Sequence, residues 1–151
     1  MKLSIVFVCG LFFVQGLFAQ EVAPPAASDE AAAIQQVIED QWAAFAGGDG
    51  EKALSLAAPE IKDRFDSAQA FLDMVEGGYP VVFHHFTYRF METRIGNHRS
   101  WQFIRMVDLN GEVWFVLYQL FRQDSGGWLI GGVYTLPGAP TPGVEPTSPR
   151  V

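Results

Sequence analysis

The sequence predicts an α+β domain in which helices lie on one face of an antiparallel sheet. Three observations predict it. Apolar residues recur at helical spacing from about residue 28 to 78. After Pro80 the period becomes strand-like. Each strand-like run is then joined to the next by a short turn-forming segment, which excludes parallel crossovers.

The elements follow in order. "MKLSIVFVCGLFFVQGLFAQ" has a basic Lys2, an apolar run from Leu3 to Phe18, then Ala19. This is the layout of a secretory signal peptide over residues 1–19, with cleavage expected after Ala19. The run is shorter than the ~20 residues a spanning helix needs, and it holds Ser4 and Gln15, so a retained anchor is the weaker reading. The expected location is therefore periplasmic or secreted, with no membrane contact after cleavage. Cys9 is the only cysteine and would leave with the signal. The mature chain then has no disulfide, no thiol nucleophile and no Cys-ligated metal.

Residues 20–27 read as a linker, where Pro24 and Pro25 oppose helix. The domain is expected over 28–137. Ser28 reads as an N-cap, and Asp29 and Glu30 suit the first turn of a helix. Ile34, Ile38, Trp42 and Phe45 form its apolar stripe, and Gly47-Gly48 stops it. Asp49 can cap a second, short helix that ends before Pro59. "PEIKDRF" allows one helical turn. Ser67 can cap a third helix carrying Phe71, Leu72 and Val75, closed by Gly77-Gly78.

Four strands are predicted near 81–91, 99–108, 112–122 and 128–135. Asn110-Gly111 fits a two-residue type I′ loop, and Gly96-Asn97 a weaker type II′ loop. Residues 138–151 ("GAPTPGVEPTSPRV") read as a Pro-rich, disordered tail. With Leu109 opposite Glu112 and Ile95 opposite His98, one sheet face would collect His84, Tyr88, Phe90, Phe103, Arg105, Trp114, Val116 and Tyr118. That aromatic face should meet the helices. The other, with His85, Thr87, Arg89, Gln102 and Gln119, suits partial exposure or a homodimer contact. A slip of one residue would exchange the faces of a strand.

Charge narrows the function classes. The net charge is −7, which disfavours nucleic acid and anionic membranes as partners. Acids dominate from Asp29 to Glu76, and arginines slightly outnumber acids from Gly77 to Leu136. The two halves are expected to dock and pair.

Several stretches together resemble a known group. They are "AIQQVIEDQWAAFAGGDGEKALSLAAPEIKDRF", "FLDMVEGGYPVV" and "FIRMVDLNGEVWFVLYQLFRQDSGGWLIGGVYTLP". The chain is similar over about residues 30–137 to an uncharacterised bacterial family of exported proteins. That family, a domain of unknown function, is grouped with the nuclear-transport-factor-2-like superfamily, as are ketosteroid isomerase and scytalone dehydratase. The resemblance implies a cone, a bent sheet wrapping helices around a pocket. It implies no activity, since the fold hosts enzymes, binding proteins and dimerisation modules alike.

The candidate site residues are His84, Tyr88, Arg105 and Tyr118, expected on the pocket face. Arg105 would clamp the carboxylate or phosphate of a small apolar or anionic ligand, flanked by the two tyrosines. Its structural alternative is an ion pair with Glu92 or with a helix acid. The enzymatic alternative is an isomerase or dehydratase using the same four residues. An oxyanion hole of the isomerase type also needs a protonated acid, and no motif supplies one. His84 and His85 are neighbours on a strand and so should point to opposite faces, which excludes joint metal chelation. His84 is expected on the aromatic face and His85 in solvent. Asp108 reads as a turn-stabilising acid. No cofactor or metal is expected.

Overall fold

The computed structural model describes residues 27–138. The predicted signal peptide and the Pro-rich tail lie outside the described residues. Among the described residues, five helical segments precede four strands. They are α1 (Ala27–Ala46), α2 (Gly50–Ser55), α3 (Pro59–Lys62), α4 (Ala68–Gly78) and α5 (Pro80–Phe83), then β1 (His85–Arg94), β2 (Arg99–Asp108), β3 (Val113–Arg122) and β4 (Trp128–Pro137). The strands form one antiparallel sheet in the order β1-β2-β3-β4.

Local chemistry places the helix ends. α1 begins one residue before Ser28, so that serine lies inside the helix and is not its cap. Gly48, at φ 67°, turns the chain after α1. Asp49 caps α2 by accepting from the Lys52 N–H at 2.9 Å, and Ser67 caps α4 by accepting from the Ala70 N–H at 3.1 Å. α5 was expected as the start of a strand. Pro80 instead pre-sets a helical turn, the Val82 N–H bonds the Tyr79 carbonyl, and Val81 and Val82 are both buried. Two adjacent buried residues fit a helical turn against a core better than an alternating strand.

The β2–β3 register is one residue from the expected one. A type I′ loop needs positive φ at both central residues, and only Gly111, at 85°, has it. The loop is therefore three residues long, closed by the Asp108 N–H bonding the Glu112 carbonyl at 3.0 Å. Asp108 stabilises it as expected: its carboxylate accepts from the backbone of Asn110 and Glu112 and from the Trp114 indole. Burial alone would raise the Asp108 pKa, but these donors together hold it below its ordinary value. The one-residue slip exchanges the faces of β2. Gln102, Ile104 and Met106 point to the helices, while Phe103 and Arg105 point away. The β3 expectation holds: Val116, Tyr118 and Leu120 are buried against α1.

Three register shifts shape the sheet, one of them between Phe90 and Thr93 on β1. The pairing shifts between His85 and Thr87, which leaves Phe86 76% exposed and turns His85 inward with Tyr88. On β4 the pairing shifts at Gly131, between Ile130 and Gly132. A Cβ on Gly131 would fall 2.4 Å from the Phe121 ring, so that close approach requires glycine. β4's far edge is covered by the α2–α3 step. Ala58 N–H bonds the Ile130 carbonyl at 2.8 Å, and Ile130 N–H bonds the Leu56 carbonyl at 2.9 Å.

The core lies between α1 and the inner face, where Ile34, Ile38, Trp42 and Phe45 meet Ile104, Met106, Tyr118 and Ile130. Gln102 is fully buried yet satisfied, accepting from Thr93 at 2.6 Å and donating to the Phe103 carbonyl at 2.8 Å. Polar contacts join the acidic and basic halves, one of them an arginine–carboxylate pair. Arg122 pairs with Glu30 at 2.6 Å and lies over the Trp128 ring, and Tyr88 donates to Glu39 at 2.7 Å.

Candidate functional site

A concavity of about 490 Å³ opens between α1, the α3–α4 segment and β4. α1 supplies Phe45 and Gln41, whose amide is anchored by donating to the Ala53 carbonyl at 3.2 Å. α4 supplies Phe71, Met74 and Val75, and β4 supplies Ile130 to Tyr134. Gly131 and Gly132 present no side chain to the cavity, which keeps that wall open. Charged groups come from the α3 turn, where Glu60 and Arg64 flank Ile61. Among the described residues, Arg64 has no carboxylate within ion-pair distance. An apolar cavity with a few polar groups is the ordinary form of a small-ligand site.

This site was legible only in part. Phe45, Phe71 and Val75 were read as core from their spacing. Arg64 carries no signal of its own, because "PEIKDRF" shows little period; Ile61 and Phe65 at i, i+4 turn that segment inward and carry Arg64 with them.

The four residues expected at the site are not brought together. Tyr118 is fully buried in the core and away from the cavity wall; its hydroxyl accepts from the Trp42 indole at 2.8 Å, and burial pushes its pKa far up. Arg105 sits on the outer face, across from Arg89 on β1 and Phe115 on β3. It cannot join Tyr88 and Tyr118 around one ligand. Neither does it pair with Glu92, which is taken by Arg94 at 2.8 Å. The one-residue slip carries Arg105 to the outer face, and the α5 turn with the bulge at Phe86 leaves His84 at the surface, so neither the expected clamp nor the four-residue set assembles.

His84 and Tyr88 line a second, more open cleft of about 390 Å³ between α1, α5 and the start of β1. The two histidines exchange their expected places. His84 ends α5 and lies at the surface, 3.5 Å from Glu76, while the bulge carries His85 onto Trp42. Burial lowers the His85 pKa, and the nearby Val82 carbonyl offsets this only in part. The bond to Glu39, with a smaller effect of burial, raises the Tyr88 pKa. Among the described residues no group of three His, Cys, Asp or Glu side chains could hold a metal ion.

Comparisons with known proteins agree with this architecture. Three solved structures, each an NTF2-like protein of unknown function, are similar in fold. The one from Methylobacillus flagellatus KT shares 16% identity at a TM-score of 0.54, covering 76% of this chain and 96% of its own. That from Silicibacter pomeroyi DSS-3 shares 16% at 0.52, covering 76% and 100%. That from Shewanella baltica OS155 shares 13% at 0.50, also covering 76% and 100%. At such identities the likeness shows the fold alone. No curated protein matches the chain. Residues 27–141 match a family profile, so the chain belongs to the family described as Domain of unknown function (DUF4864), with an NTF2-like fold.

Proposed function

We propose that this is an exported protein whose domain binds a small, elongated apolar ligand carrying a carboxylate, in the cavity between α1, α4 and β4. The observation that carries the reading is the cavity itself: an apolar interior of about 490 Å³ with an arginine at its edge that no acid among the described residues pairs. The chain would enter between Phe45, Phe71 and Ile130, and the carboxylate would meet Arg64. Thermal-shift titration with straight-chain carboxylates, and with alcohols of the same length, tests it. A ligand at a hundred times its Kd stabilises by about 2.7 kcal/mol. Carboxylates should outperform alcohols in the native protein and lose that advantage in Arg64→Leu. Equal shifts for both series in both proteins would reject the role of Arg64. Export rests on the signal-like segment and is tested by the mass of the mature chain, expected to begin at Gln20.

A second reading, compatible with the first, is a homodimer through the outer sheet face. Phe115, Tyr134 and Leu136 stand there 44%, 55% and 66% exposed, beside Trp101 and Leu117. Sedimentation should report a dimer that Leu136→Asp converts to monomer. A native monomer at micromolar concentration would reject this reading.

A further inference from the structure

The second cleft differs in chemistry from the cavity just described. α1 divides them: Gln41 and Phe45 face the cavity, whereas Glu39, Trp42 and Ala46 face the cleft. We propose that the cleft is a separate binding site for a small organic cation, a primary or quaternary ammonium, held by Glu39 and the ring of Tyr88.

Sign and geometry both point to a cation. The lining residues include the Glu39 carboxylate and no Lys or Arg. One Glu39 oxygen accepts the Tyr88 hydroxyl at 2.7 Å, which fixes the carboxylate and leaves its other oxygen free of hydrogen bonds among the described residues. Glu76 adds a second negative charge at the rim, beside His84. The walls are electron-rich rings. Trp42, His85 and Tyr88 meet edge to face, with centroids 4.7 to 5.3 Å apart, and Tyr88 is 39% exposed. Such ring faces attract cations, most strongly where water is partly excluded. His85 adds an acceptor rather than a charge, because burial favours its neutral form. Its Nδ1 is buried without a hydrogen-bond partner of ordinary geometry. An anion would face a carboxylate and a set of acceptors, with little to donate to it.

The test is an NMR titration of the ¹⁵N-labelled protein. The probes are phenethylammonium and tetramethylammonium chloride, with sodium phenylacetate at equal ionic strength as the anionic control. The expected result is saturable shifts of the Trp42 indole N–H and the Tyr88 and His85 amides with both cations, and none there with phenylacetate. Glu39→Gln should weaken cation binding about tenfold, a typical loss for one charge-assisted contact. Tyr88→Phe, which keeps the ring, should change it less than about threefold, and Tyr88→Leu more. Glu76→Gln should stay within about threefold, as screening predicts for a rim charge. No saturable shift at tens of millimolar, equal affinity in Glu39→Gln, or shifts confined to the Phe71–Val75 cavity would each overturn the proposal. The carboxylate reading of the larger cavity stands or falls separately, since no residue lines both.

Discussion

Replacing Tyr118 by phenylalanine removes a single oxygen from the centre of the domain. That oxygen is fully buried and accepts the Trp42 indole N–H at 2.8 Å, joining the middle of α1 to the middle of β3. The substitution leaves the shape of the ring intact, so no cavity larger than the hydroxyl is made. What remains is an indole N–H in a dry core with no acceptor, a loss worth about 1–3 kcal/mol. For a domain of this size each kcal/mol lowers Tm by about 4 °C, so the expected fall is about 4–12 °C. Calorimetry or thermal circular dichroism measures it, and urea titration with an unchanged m-value confirms that stability alone has moved. A double-mutant cycle with Trp42→Phe isolates the bond, since the second change in a protein already lacking the hydroxyl should cost less than it does alone. If Tyr118→Phe lies within about 0.5 kcal/mol of the native protein, the bond does not hold α1 to the sheet and the reasoning fails.

The other expectations concern the sheet and the second cleft. Gly131→Ala should cost about 1–3 kcal/mol, because its Cβ would fall 2.4 Å from the Phe121 ring, whereas at Gly132 the nearest atom is 3.6 Å away and Gly132→Ala should be milder; equal unfolding midpoints for the two would contradict the bulge. Asp108→Ala should cost about 1–2 kcal/mol by denaturant titration, since two turn N–H groups and the Trp114 indole lose their acceptor. His85 has a folded pKa below its ordinary 6.5, so the unfolded chain binds more protons in the window below about 6.5 and stability should fall as pH falls through it. His85→Phe keeps a ring against Trp42 without the proton; unfolding midpoints from pH 7.5 to 5 should fall less steeply in that variant, and parallel curves would refute the assignment. Glu39 and His84, which face the same cleft, are present in both proteins, so whatever they contribute cancels in the difference.

The helices and the inner face of β3 were legible because their signals are local. Ile34, Ile38, Trp42 and Phe45 repeat at helical spacing, and Asp49 and Ser67 are caps with a hydrogen bond to make. The order of the strands was legible for the same reason, since each turn joins neighbours. The faces of β2 and the start of β1 were not. Both depend on how many residues a turn or bulge consumes. Asn110-Gly111 is the two-residue signature, yet Asp108 binds the backbone on the far side of the loop and draws a third residue in. That one residue carries Arg105 from the pocket face to the outside. At β1, the bulge at Phe86 exchanges the roles of His84 and His85. Nothing in "FHHFTYRF" marks that extra residue, because aromatic side chains stand at both inward and outward positions there. The candidate site suffered most, because the cavity is built by residues far apart in sequence: Gln41, Arg64, Phe71 and Ile130 meet only after the sheet has closed over the helices.

The central claim is that the cavity beneath α4 takes an apolar ligand, and blocking it tests that most directly. Val75 lines the cavity from α4, and Val75→Trp would place an indole in the space. Calorimetric titration of the folded native and Val75→Trp proteins with decanoate, run at two temperatures, reads both affinity and heat capacity. The account predicts one-to-one binding with a negative ΔCp in the native protein and its loss in the variant. Undiminished binding in Val75→Trp, or none in the native protein up to the solubility of decanoate, would contradict it.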